Sequence, residues 1–173
     1  MNDELNINNL ELDDNSFYVL EEGDYHFRVA WHELDYYSGS SSKIPPNTQQ
    51  IICHLEVPVT EEDGSIVTVS IKHTMNVFKK ALFAIRQFTD CIGITPEHGK
   101  ASVNLEKIDG AEGIARFSVQ ISNNGNEYNR IETAYAPSKA PAVCDNDDCW
   151  EQFKLKADGF VEVDGDDFSE LPL

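Results

Sequence analysis

Between Gly23 and Trp31 the sequence GDYHFRVAW sets Tyr25, Phe27, Val29 and Trp31 at every second position, with His26, Arg28 and Ala30 between them. A period of two sends successive side chains to opposite faces, which no helix does. The segment therefore predicts a half-buried strand, with the four apolar residues in the core and a polar, partly basic outer face that carries Arg28 and His32. The pattern recurs in TQQIICHLEVPV, where Ile51, Cys53, Leu55 and Val57 share a face, and in SIVTVSIKHT, where Val67, Val69 and Ile71 do. EEDG between these two runs predicts a hairpin turn. SGSSSKIPPN, with its glycine, serines and paired prolines, cannot continue a central strand and predicts a loop between the first and second strands.

The period then lengthens. Phe78, Leu82, Ile85, Phe88 and Ile92 fall at helical spacing, Lys79, Lys80 and Arg86 lie largely off that stripe, and Gly93 is a stop signal. PEHGKASVNLEKIDG predicts at most a short helical turn. In GIARFSVQISNNGNEYNRIETAYAP, Ala115, Phe117, Val119 and Ile121 alternate against Arg116, Ser118 and Gln120 before an NNGN turn, which predicts a second hairpin. Five strands with one α-helix between the third and fourth is the element order of a mainly β, OB-fold-like five-stranded barrel, here expected over residues 20–137. Residues 1–19 then form an acidic leader, and 138–173 a linker and acidic tail, interrupted by a cluster, CWEQFKLKADGFVEV, able to dock on the domain. Other small barrels share this order, and a fold does not by itself fix a function.

The net charge of −18 is unevenly placed. Residues 1–22 hold 7 acids and no Lys or Arg, residues 140–173 hold 10 acids and 2 lysines, and the segment between them holds 14 acids against 11 bases. A nearly neutral centre with acidic ends leaves nucleic acid open as a partner, where a uniformly acidic globule would argue against it. No apolar run is long enough to span a membrane, and MNDELNINNLELDD has neither the basic start nor the apolar middle of a signal peptide, so a cytoplasmic protein is expected. Four cysteines, Cys53, Cys91, Cys144 and Cys149, do not make a disulfide framework at this length.

Glu22-Gly23-Asp24-Tyr25, the stretch from Gly39 to Pro46, and Gly110 to Val119 resemble a family of bacteriophage early proteins, formerly of unknown function, whose members look like OB-fold single-stranded DNA-binding proteins. The resemblance covers roughly Leu20 to Tyr135. Asn47 stands where members often carry Cys, so no role carries over to that position. The ending DGDDFSELPL is similar to the acidic tail of bacterial single-stranded DNA-binding proteins, although Pro172 and Leu173 occupy the tip and Phe168 lies upstream. The likeness implies coating of single-stranded DNA in phage replication or recombination, within the bacterial host cytoplasm.

Binding single strands without sequence preference needs cations for phosphates and exposed aromatics for bases. The candidates are Arg28 and His32 on the first strand, His54 on the second, Lys72 on the third, Arg116 on the fourth and Arg130 on the fifth, with Tyr36, Tyr37 and Lys43 in or beside the first loop. Alternating charges are also what the solvated side of any half-covered sheet carries. In the tail, Phe168, Leu171, Pro172 and Leu173 among Asp164, Asp166, Asp167 and Glu170 predict a peptide that docks on replication or recombination proteins, against the plainer role of a solubilising terminus. His26, His32, His54, His73 and His98 lack the spacing of a zinc set, and Cys144 and Cys149 have no second pair nearby, so neither metal nor cofactor is expected. No phosphate loop, nucleophile elbow or metal-carboxylate motif points to an enzyme. An acidic DNA mimic that inhibits a host nuclease or defence complex is the alternative, and a homo-oligomer is compatible with either.

Overall fold

The computed structural model describes residues 18–94 and 105–162, with backbone only for 157–162. Five strands, β1 (Gly23–Tyr36), β2 (Gln49–Thr60), β3 (Ile66–Val77), β4 (Glu112–Ile121) and β5 (Glu127–Ala134), form one antiparallel sheet in the order β3-β2-β1-β4-β5. Helix α1 (Leu82–Cys91) lies between β3 and β4 in the chain, as the change of period predicts. No ladder joins β3 to β5 among the described residues, so the sheet is not closed by hydrogen bonds.

The inner face follows the alternation. Tyr25, Phe27, Val29, Cys53, Leu55, Val57, Val69, Ile71, Ala115 and Phe117 are buried together. Phe27 sits at the centre, its ring 5.9 Å from Phe88 of α1 and 6.2 Å from Phe117 of β4. Helix α1 plugs the core with Ile85, Phe88 and Cys91. It ends as Gly93 predicts: Gly93 takes φ +78°, its N–H donates to Asp90 O, and Ile94 N–H donates to Thr89 O. That pair of bonds is a Schellman cap, which only a left-handed residue closes without strain. Gly113 of β4 lets the helix end approach, since a β-carbon there would stand 2.8 Å from Cys91 Sγ.

The fold departs from the expected single helix. A second helix, α2 (Asp147–Glu162), follows the proline-rich stretch, and packing continues past residue 137, where the sequence sets the domain's end. The cluster around Trp150 does dock. Cys149, Trp150 and Phe153 fall on one face of the helix and are buried, with Asp147 and Asp148 in the first turn, where the helix dipole favours acids. Trp150 stacks on His26 of β1, ring centroids 4.9 Å apart, so α2 covers the outer face of the sheet, opposite the core.

One side chain fixes this docking. The β1–β2 ladder ends at Arg28↔Glu56, and two residues further along each strand stand His26 and Pro58. Proline has no N–H to give, so the ladder cannot continue there. Asn146, fully buried, fills the gap: its Oδ1 accepts from His26 N at 2.9 Å, and its Nδ2 donates to His26 O at 3.0 Å and to Pro58 O at 2.8 Å. Asp145 N–H donates to Asp24 O alongside. Replacing Asn146 by Ala strips three backbone groups, two part-buried and one buried, of their partner, and about 2–4 kcal/mol of stability is expected to go. Urea unfolding checks this, and a loss below about 0.5 kcal/mol, the level of an ordinary surface substitution, would show that α2 is held some other way.

Candidate nucleic-acid interface

Residues paired across a ladder point to the same side of the sheet, so the register assigns each candidate to a face. On β1 the register slips between Val29 and Trp31: Val29 pairs with Leu55, and Trp31 with His54. Two residues there oppose one, a β-bulge, and every side chain beyond it changes face. Trp31, expected in the core with Val29, is instead on the outer face and 48% exposed. His32, expected outside, moves to the inner side opposite Cys53, where its Nδ1 lies 2.6 Å from Asp109 Oδ1. The bulge was legible in the spacing of the apolar residues. Tyr25, Phe27 and Val29 are odd-numbered, whereas Leu34 and Tyr36 are even, and such a phase change needs one extra residue between them.

The consequence is a row across three strands. Trp31 lies flat on His54, ring centroids 3.9 Å apart and 6° from parallel, and His54 pairs in turn with Lys72 of β3. His54 Nε2 is 2.6 Å from Glu33 Oε2, which holds the imidazole plane under the indole. An aromatic step with a lysine at its end thus faces solvent.

The remaining candidates divide. Arg28 is on the outer face opposite Glu56. Arg116 is enclosed by carboxylates, 3.5 Å from Asp24, 3.7 Å from Glu132 and 3.9 Å from Glu22, and so holds β1, β4 and β5 together electrostatically. Tyr36 is 62% exposed at the end of β1. Tyr37, expected to reach a base, is committed to its own loop: its hydroxyl accepts from Ser41 N at 2.8 Å, and its ring occupies the space where a β-carbon on Gly39 would lie. Lys43 is exposed in that loop. Lys43, Lys72 and Arg130 make no ion pair among the described residues. The sequence thus overestimates the free positive charge, because the carboxylates that meet His32 and Arg116 come from distant segments. Asp164, Asp166, Asp167, Phe168, Glu170, Leu171, Pro172 and Leu173 lie outside the described residues.

Lys72 and Arg130 also line a cleft of about 450 Å³ between β3 and β5, floored by Phe88, with Met75, Gln87 and Tyr128 in its walls. His73 faces Phe88 there at 4.6 Å. No helix among the described residues is long and apolar enough to cross a membrane. Neither a protein-family model nor a curated protein matches the chain, so the likeness to phage early proteins rests on its short motifs alone.

Burial, and secondarily Arg130, lowers the His73 pKa from its ordinary 6.5 to about 4. Below pH 6.5 the unfolded chain takes up a proton that the folded state refuses until about pH 4, so stability falls with pH across that window. His73→Gln is expected to flatten this part of the profile in urea unfolding at stepped pH. An unchanged slope would exclude His73 as its source.

Proposed function

We propose that the chain is a non-enzymatic single-stranded DNA-binding protein built on an OB-like barrel, which coats DNA in phage replication or recombination. The observation that carries this reading is the exposed Trp31 stacked on His54 beside Lys72. Burying half an indole inside would have stabilised the fold, yet a bulge turns it outward, onto a face flanked by the long β1–β2 loop. Stacking on such a platform contributes about 1–3 kcal/mol per base and accepts any base. The strand order supports the barrel: β3 and β5, the two edges, line opposite walls of one cleft, as in a partly open barrel parted along one seam. The likeness of Glu22 to Tyr25 and of Gly110 to Val119 to phage early proteins points the same way. The acidic C-terminal residues then serve as the recruiting peptide for replication or recombination partners.

Binding of this kind is led by stacking. The three proposed contact cations that make no ion pair among the described residues, Lys43, Lys72 and Arg130, give a log–log salt slope near −2, at about −0.7 per phosphate contact on a single strand. Oligothymidylate is expected to quench the Trp31 emission, and Trp31→Ala to weaken binding about 5- to 150-fold, the range of one lost stack. Titration by fluorescence anisotropy at several salt concentrations measures both. No binding at low salt, or full affinity in the Trp31→Ala protein, would falsify the assignment.

The ring of acids around Arg116 favours a second reading, an acidic DNA mimic acting on a nuclease or defence complex. The same titration separates the two, because a mimic displaces DNA from a basic channel and has no DNA affinity of its own.

A further inference from the structure

We propose that His26, Cys144 and Asp147 bind a thiophilic divalent cation of the Zn²⁺ class, which fastens α2 to the sheet. A ring nitrogen of His26, the Sγ of Cys144 and a carboxylate oxygen of Asp147 all lie within 4.8 Å of one another. Around tetrahedral zinc, with bonds of about 2.0–2.3 Å, such donors stand roughly 3.3–3.7 Å apart. Small side-chain rotations therefore close the set, with no movement of the backbone.

The backbone that carries these residues is already fixed. Asn146 lies between the two C-terminal donors and bonds to both the N–H and the C=O of His26. Asp147 is held from the other side: its Oδ2 accepts from Cys144 N at 2.9 Å, while Oδ1 points to His26 Nε2 at 2.6 Å. The His26 ring is set by its stack on Trp150, 12° from parallel. Supporting contacts of this sort orient metal ligands before the ion arrives.

Access and chemistry agree. Cys144 is buried, while the Asp147 side chain is 43% exposed and that of His26 20%, so an ion enters from one side and water can complete its shell. Sulfur and imidazole donors select zinc-like ions over Mg²⁺ or Ca²⁺. Cys149 is not part of the set, since its Sγ faces Asn146 O.

The test uses the reduced, chelator-treated full chain and Co²⁺ as probe. Expected are a thiolate-to-cobalt charge-transfer band that saturates at one equivalent, its loss on adding Zn²⁺ but not Mg²⁺, and a Zn²⁺-dependent rise in the thermal midpoint. Cys144→Ser removes the band, His26→Gln weakens Co²⁺ affinity at least tenfold, and Cys149→Ser keeps both band and affinity. Circular dichroism confirms that each variant is folded, and if Cys144→Ser is not, the His26→Gln titration decides. No band in the natural chain, a band that survives Cys144→Ser in a folded protein, or unchanged affinity in His26→Gln overturns the proposal.

Discussion

A buried peptide group without a hydrogen-bond partner costs about 1–3 kcal/mol, and Pro58 creates that problem in the middle of the sheet. β2 continues past it in register with β3, but β1 has already lost its β2 partner at Arg28. The side chain of Asn146 completes the ladder in place of a peptide unit, and the rest of the outer face follows from that insertion. It positions the start of α2, brings Trp150 over His26, and sets Cys144 and Asp147 beside the same imidazole.

The second constraint is the bulge on β1. Before it, the outward-facing His26 lies under Trp150 of α2; after it, the outward-facing Trp31 lies on the His54 ring and is half exposed. The covered and open halves of the outer face are therefore divided by a single extra residue. The open half holds the stacking platform and Lys72.

What the sequence revealed and what it hid separate along physical lines. Local periodicity was enough for the five strands, for α1 and for its stop at Gly93, because each depends on residues close in the chain. The inward faces of β2 and β3 were readable for the same reason. Simple alternation puts Trp31 and His32 on the wrong sides, because it runs through a bulge that only the later phase of Leu34 and Tyr36 betrays. Helix α2 was hidden among acids and prolines, since its stability comes from burying Cys149, Trp150 and Phe153 against strands far away in sequence. The pairing of Arg116 with Glu22, Asp24 and Glu132 was equally illegible, being a product of strand register.

An open sheet ordinarily offers two bare edges on which a foreign strand can grow. In this chain the edges belong to β3 and β5, and they look at each other across the cleft over α1 rather than outward. Each edge stands in the way of any strand seeking the other. A foreign strand would have to enter that gap to pair with either edge, and no ladder joins the two edges among the described residues.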